Sequence, residues 1–185
     1  MQGGPTLRAD AQRNRVRILG AAEAVFAEFG AGASTEEVAR RAGVAIGTVF
    51  RHFPTKDDLL AAIMKQLLVR LVTEAGELGG GDGLFEFFRR LVTQAADKRS
   101  VVELLARADV DIRLPDAIGH LEQAVDDLLR QAQAAGMVST EARLPVVMAL
   151  LLSVCQGALV GSWDQGLQDH TLGVIFAGLA PRHDG

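Results

Sequence analysis

Titratable and nucleophilic side chains occur along the 185-residue chain, but their spacing does not fit a catalytic or metal site. His120 and Glu122 lie two positions apart, as do Asp109 and Asp111, and residues two apart do not share a helical face. The single cysteine, Cys155, lies in an apolar run, where a thiol is generally inert. The sequence therefore predicts a protein that is not an enzyme and that has no metal and no cofactor.

Basic side chains are distributed unevenly along the chain. There are 19 Lys and Arg against 23 Asp and Glu, which gives a net charge of −4. Residues 1–70 hold ten basic and seven acidic side chains, net +3, whereas residues 71–185 hold nine and sixteen, net −7. Such an asymmetry is typical of a DNA-binding end joined to a domain with another role. Arg13, Arg15 and Arg17 would neutralise phosphates or enter a minor groove, unless they only solubilise the start of the first helix.

A helix-turn-helix pattern occupies residues 35–54, TEEVARRAGVAIGTVFRHFP. Two short helices meet at a tight turn, where Gly43 can adopt the positive φ that ends the first of them. Ser34 and Glu37 form a capping-box pattern at the start of the first helix, and Ala39 is small where the two helices cross. This pattern predicts that the second helix enters the major groove of DNA.

The second helix of the pattern has few groups that can form hydrogen bonds to bases. Ile46, Gly47 and Val49 offer none from their side chains. We therefore expect base contacts to depend on Arg51, on apolar contact with thymine methyl groups and on DNA shape.

The stretches RILGAAEAVFAEFG (17–30) and STEEVARRAGVAIGTVFRHFPTKDDLLAAI (34–63) resemble the N-terminal DNA-binding domain of TetR-family transcriptional regulators. The resemblance covers about residues 13–70 and includes the Ala-Ala pair, the AGV, GT and HF motifs, and the lysine that follows. It implies an all-helical homodimer that binds double-stranded operator DNA through its N-terminal helices. Its C-terminal helices would bind a small-molecule effector and form the dimer.

The resemblance also implies which side chains contact DNA. Phosphate contacts are expected from the threonines, the histidine and the lysine of the motif, and base-edge contacts from the start of the second helix and its arginine. With the first-helix arginines included, the expected set is Arg13, Arg17, Thr35, Ile46, Gly47, Thr48, Phe50, Arg51, His52 and Lys56. Phe50 and Ala45 replace the usual Tyr and Ser, so two phosphate donors are missing. In the alternative interpretation His52 has no DNA role. Arg40 and Arg41 are expected to form a solvated face and not to contact bases.

The fold class predicted is all-α: an N-terminal three-helix helix-turn-helix domain and a C-terminal helical ligand-binding and dimerisation domain. The predicted domains are a flexible arm at residues 1–10, the DNA-binding domain at 11–55 and the effector and dimer domain at 56–185. Capping and periodicity predict helices at 11–29, 35–42 and 46–52 and from Thr55 onward, then at 84–96, 100–113, 116–136, 143–163 and 166–179.

The last two predicted helices carry apolar residues at three- and four-residue intervals. We expect these residues to form a four-helix dimer interface, with Gly157 and Gly161 allowing close approach, unless they fill the core of one protomer. The predicted interface residues are Val147, Met148, Leu151, Cys155, Ala158, Leu172, Ile175 and Phe176.

An aromatic cluster follows the glycine-rich loop at residues 76–83. The family resemblance implies that the middle helices hold the effector, and an apolar pocket there would suit a hydrophobic or amphipathic molecule. The expected pocket residues are Phe85, Phe88, Leu91, Val92, Leu104 and Leu105, which are equally suited to an ordinary core.

The segment from Leu144 to Trp163 is uncharged for twenty residues, but it contains Pro145 and two glycines and has no flanking basic cluster. We therefore expect a buried helix and no membrane contact. The first twenty residues lack a signal peptide, which predicts a cytoplasmic protein.

The function predicted is a TetR-like repressor released from a pseudo-palindromic operator by its effector. The alternative is a helical ligand-binding or scaffold protein without DNA regulation.

Overall fold

The computed structural model describes residues 4–97 and 115–181, and all regular structure within these ranges is helical, which confirms the all-α prediction. The described residues up to Gln66 form one compact unit, and those from Leu67 onward form a second. The helices are α1 (Gly4–Phe29), α2 (Thr35–Ala42), α3 (Ile46–His52), α4 (Lys56–Glu77), α5 (Gly83–Asp97), α6 (Pro115–Ala134), α7 (Leu144–Gly161) and α8 (Gln165–Leu179), with a 3-10 turn at Gly30–Gly32.

Helix α1 begins at Gly4, seven residues before the predicted start at Ala11, so the prediction of a flexible arm over residues 1–10 is wrong for residues 4–10. Pro5 falls in the first turn, where its missing N–H costs nothing. Asp10 pairs with Arg13 one turn later, which adds a local stabilising contact along the helix. Residues 1–3 lie outside the described residues.

The turn between α2 and α3 has the predicted chemistry. Ser34 Oγ accepts a hydrogen bond from the backbone N–H of Glu37 at 3.1 Å. Gly43 has φ +64°, and the N–H groups of Gly43 and Val44 donate to the carbonyls of Arg40 and Ala39, which closes the helix with a Schellman motif. These contacts confirm the predicted cap and positive φ, and they fix the direction in which α3 leaves α2.

The core of the first unit holds the apolar side of the helix-turn-helix. Side chains from α1, from the two short helices and from the first half of α4 are buried together. They include Ile18, Ala22, Val25, Phe26, Val38, Ala39, Ala42, Val49, Leu59 and Ile63. Ala39 is 4% exposed and belongs to this core.

The start of α4 is capped by a reciprocal pair. The backbone N–H of Asp58 donates to Thr55 Oγ1 at 3.0 Å, and the backbone N–H of Thr55 donates to Asp58 Oδ2 at 3.0 Å. The Thr55 hydroxyl also donates to the same carboxylate at 2.7 Å. This capping box confirms Thr55 as the N-cap and fixes the first turn of α4.

The core of the second unit is formed by the second half of α4 and by α5 to α8. Its largest fully buried side chains are Phe87, Phe88, Leu84, Leu128 and Val92. The observed bounds of α5 to α8 lie within two residues of the predicted ones. The helix predicted at 100–113 lies outside the described residues, and so do Leu104 and Leu105.

By length and composition, α7 is the helix in the described ranges that could cross a membrane. Five of its side chains are buried in the protein: Val147, Leu151, Val154, Ala158 and Leu159. The rest of the helix keeps large apolar side chains exposed, among them Leu152, so packing within the protomer accounts for only part of its apolar composition.

The α7–α8 corner places the single tryptophan against the glycines of α7. A Cβ on Gly157 would lie 2.7 Å from Cζ2 of Trp163, and one on Gly161 would clash with the same indole. The expectation that these glycines admit a helix of a second protomer is therefore wrong, because the space above them is filled by Trp163.

Candidate nucleic-acid interface

Helix α3 has one buried side and a broad exposed side. Val49 is fully buried, and because a helix turns about 100° per residue, Gly47 and Arg51 point away from the core. Ile46 and Phe50 lie on one flank of this outward side. Thr48 and His52 lie on the other flank and are half-buried. The outward face therefore has an apolar edge, a central arginine and a polar edge.

Arg51 is exposed and forms no hydrogen bond or ion pair within the part of the chain that the structure describes. The His52 ring lies 6.3 Å from that of Phe53, which is buried at the end of α3. Thr35 is half-buried at the first position of α2. These side chains leave donors on the outer surface of the first unit, where a phosphate backbone can reach them.

Lys56, predicted to bind phosphate, is also bound within the protein. Its ammonium donates to the carbonyl oxygen of Ala33 at 3.0 Å and lies 5.5 Å from the ring centroid of Phe26. No local pattern predicts this contact, because Ala33 lies 23 residues earlier in the chain. An ammonium has three donors, and the contact with Ala33 uses one of them.

The arginines in the middle of α1 form contacts within the first unit. The Arg17 guanidinium donates to the carbonyl oxygen of Gly43 at 3.3 Å, and Arg15 lies 4.7 Å from the ring centroid of Phe53. Arg13 pairs with Asp10 on the same helix. Arg17 was predicted to bind DNA. In the structure its guanidinium lies at the carboxyl end of α2, where a positive charge stabilises the helix end and the turn that follows.

Arg40 and Arg41 are part of an ion-pair group on α2. Glu37 accepts two hydrogen bonds from Arg40, at 2.6 and 2.8 Å, and Arg41 donates to Glu28 at 2.7 Å. The hydrogen bond from Arg40 lowers the pKa of Glu37 below its usual value. The two arginines thus have the paired surface environment expected of a solvated face.

The predicted effector residues lie in a packed core. Phe85, Phe88 and Val92 are buried, and the rings of Phe85 and Phe88 lie 4.5 and 5.9 Å from that of Phe176. Leu91 is half-buried against the same core. These residues are packed against protein atoms in the structure, and their role in an effector pocket stays a prediction.

Two open cavities lie in the second unit, and neither is lined by the described members of the predicted pocket, Phe85, Phe88, Leu91 and Val92. One, of about 540 Å³, lies at the loop between α6 and α7 and the end of α8. The other, of about 450 Å³, lies between α4 and α6. Its walls include apolar Val72, Ala75 and Leu128 and polar His120, Gln123 and Asp127.

The predicted dimer residues belong mainly to the core of the protomer. Val147, Leu151, Ala158 and Leu172 are buried within one chain, so they have no surface to offer a second chain. The other four, Met148, Cys155, Ile175 and Phe176, are half-buried against that core. The exposed large apolar residues of α7 and α8 are different ones: Val146, Leu152, Val160, Leu167 and Val174.

Side chains suited to other chemistry are few in the described ranges. No group of three or more His, Cys, Asp or Glu that could hold a metal ion occurs within residues 4–97 and 115–181. Burial raises the pKa of the Cys155 thiol from 9.0 to about 12, which disfavours the reactive thiolate.

Comparison with known families matches both parts of the chain. The description "Bacterial regulatory proteins, tetR family" matches residues 18–63, which contain the helix-turn-helix. The description "Transcriptional regulator SbtR-like, C-terminal domain" matches residues 80–181, more than half of the chain.

Individual relatives match over nearly the whole length. UidR, an HTH-type transcriptional regulator of Escherichia coli K12, is 28% identical over 191 residues, covering 92% of this chain and 97% of UidR. A TetR transcription regulatory protein from Mycobacterium vanbaalenii has a solved structure with 37% identity and a TM-score of 0.74, covering 95% of this chain and 99% of that one. SCO0520 from Streptomyces coelicolor has 28% identity and a TM-score of 0.68, covering 91% and 99%.

Proposed function

The chain belongs to the TetR family of bacterial transcriptional regulators, and on that premise we propose that it is a repressor released from a pseudo-palindromic operator by a small-molecule effector. Proteins of this family are DNA-binding regulators and not enzymes. Two recognition helices of a dimer would enter successive major grooves about 34–36 Å apart. A protein of this kind acts in the cytoplasm, where the DNA is.

The observation that supports the proposal best is the outward face of α3. Val49 anchors the helix in the core, and Arg51 points away from the core without a partner within the described residues. In the proposed complex Arg51 contacts a base edge, while Thr35, Thr48 and His52 bind phosphates on either side of the groove.

The dimer would form through the exposed apolar faces of α7 and α8. Leu152 is 64% exposed and Val174 is 63% exposed, and Val160 and Leu167 add to the same two helices. A surface of this kind, on helices whose opposite faces already fill the protomer core, is what a four-helix dimer interface needs. This assignment replaces the buried residues that the sequence predicted.

The cavity between α4 and α6 is the proposed effector site. Its walls combine apolar Val72 and Leu128 with polar His120, Gln123 and Asp127, which suits an amphipathic molecule with hydrogen-bonding groups. The effector must bind the state with incorrectly spaced recognition helices more tightly than the DNA-bound state, because only differential affinity shifts an equilibrium.

A salt series of DNA binding tests the proposal. The purified protein is mixed with duplex fragments from the region upstream of its own gene, and the dissociation constant is measured at several salt concentrations. The logarithm of the association constant should fall linearly with the logarithm of the salt concentration, with a slope near −0.9 per phosphate neutralised. The Thr48→Ala variant should bind more weakly, whereas Thr140→Ala, which alters an exposed threonine outside the first unit, should bind like the parent. Absence of salt-dependent binding to every fragment would contradict the proposal and favour a helical ligand-binding protein.

A further inference from the structure

Helix α3 exposes two large apolar side chains on its outward side. Ile46 is 37% exposed and Phe50 is 44% exposed, and neither belongs to the core of the first unit. They lie four positions apart, so they are neighbours on one flank of the helix. Single exposed apolar residues are ordinary on a protein surface, but an adjacent pair on a binding helix indicates a contact surface.

The remainder of the outward side offers few hydrogen bonds to bases. Gly47, between the flank and Arg51, has no side chain, and there is open space around the position of a Cβ. Arg51 carries donors only, so it suits the two acceptors of guanine in the major groove. The outward side of α3 carries no Asn or Gln to bind adenine and no carboxylate to bind cytosine.

The major groove presents only one apolar group on its base edges, the C5-methyl group of thymine. Four residues of helix extend about 6 Å, and base pairs are spaced about 3.4 Å apart, so the pair spans one or two base-pair steps. We propose that Ile46 and Phe50 select thymine at one or two positions of each half-site by contacting its C5-methyl group. This inference rests on the proposed function. Arg51 selects a neighbouring guanine.

The test starts from a site whose sequence is measured. The full-length protein selects duplexes from a randomised library, and the selected site is then synthesised with deoxyuridine in place of thymine in the half-sites. Deoxyuridine keeps the base pair and the O4 acceptor and removes only the methyl group. Burial of one such group contributes about 0.8 kcal/mol, so each contacted methyl should be worth about a fourfold change in dissociation constant. Deoxyuridine placed only between the half-sites is the control and should change nothing.

Protein variants connect the methyl effect to the two side chains. Ile46→Ala and Phe50→Ala should weaken binding to the thymine duplex about as much as deoxyuridine does, and they should not weaken binding to the deoxyuridine duplex further. Phe50→Tyr keeps the ring and should keep the preference for thymine. Val69→Ala removes an exposed apolar side chain from α4 and should bind both duplexes like the parent. Circular dichroism, recorded while each variant is heated, shows whether the variant is folded at the temperature of the binding assay.

The outcomes separate this inference from the proposed function. Salt-dependent binding to the selected site, with dissociation constants for the thymine and deoxyuridine duplexes within twofold, would overturn the thymine assignment and leave the repressor proposal standing. Equal losses on both duplexes in the two alanine variants would do the same. If the selection yields no site and no duplex binds, both proposals are wrong.

Discussion

The ammonium of Lys56 donates a hydrogen bond to the carbonyl oxygen of Ala33 at 3.0 Å. The same ammonium lies over the ring of Phe26, so the first residue of α4 is attached to the end of α1 and to the loop before α2. A lysine in this position has a structural role in the first unit in addition to any contact with DNA.

Replacing Lys56 with alanine should therefore lower the stability of the free protein as well as its affinity for DNA. The loss of the hydrogen bond and of the cation–π contact is expected to cost about 1–2 kcal/mol in the free energy of unfolding. Urea unfolding without DNA measures this cost. Lys65→Ala, at an exposed position on the same helix, is the control. Unchanged stability of Lys56→Ala together with weaker DNA binding would show that the lysine acts on phosphate alone.

Replacing Arg51 with alanine should change sequence preference and leave stability unchanged, because Arg51 has no partner within the described residues. Affinity for sites with guanine at its position should fall by about 1–3 kcal/mol, and affinity for other sites should change less. Arg51→Lys keeps the charge but not the planar pair of donors, so it should lose the same preference. A uniform loss across a panel of single-base operator variants would mean that Arg51 binds phosphate.

Gly43→Ala should destabilise the first unit by about 1–2 kcal/mol, because Gly43 has φ +64° and alanine is strained in that region. A Cβ there would also lie 2.8 Å from a terminal nitrogen of Arg17, which would have to move. Gly20→Ala, in the middle of α1 with open space around it, should instead stabilise by about 0.5–1 kcal/mol. Thermal unfolding of both variants tests the prediction, and equal shifts would contradict it.

Leu152→Glu and Val174→Glu should convert a dimer to a folded monomer, because each places a charge on an exposed apolar face of α7 or α8. Analytical ultracentrifugation over a concentration series measures the change. Val69→Glu introduces the same charge at an exposed apolar position of α4 and should remain dimeric. A persistent dimer in both α7 and α8 variants would place the interface elsewhere.

The thiol of Cys155 should react slowly with a thiol reagent at pH 8. Burial raises its pKa from 9.0 to about 12, which lowers the fraction of thiolate about a thousandfold relative to an exposed cysteine at the same pH. Addition of urea should restore the ordinary rate when the second unit unfolds. A native rate equal to the unfolded rate would mean that the thiol is accessible.

Local signals were sufficient for the helix-turn-helix. The caps at Ser34 and Thr55 and the positive φ of Gly43 depend on atoms within a few residues, so residue types alone predicted them. The family motifs lie in the same stretch, which is why function at the level of a DNA-binding regulator also followed from sequence. The early start of α1 was missed because Gly4 and Pro5 are signals that usually interrupt a helix.

Tertiary structure decided which side chains of a given type are available at the surface. Helix α7 is apolar on nearly every face, so its periodicity did not distinguish buried Val147 from exposed Leu152. Arg17 and Arg51 are the same residue type in the same basic region, but within residues 4–97 and 115–181 Arg17 donates to a carbonyl oxygen 26 positions away and Arg51 has no such partner. Sequence alone determined the helices and the motif because these depend on neighbours in the chain. Packing brings distant residues together, and that determined which cations and which apolar faces remain free to bind.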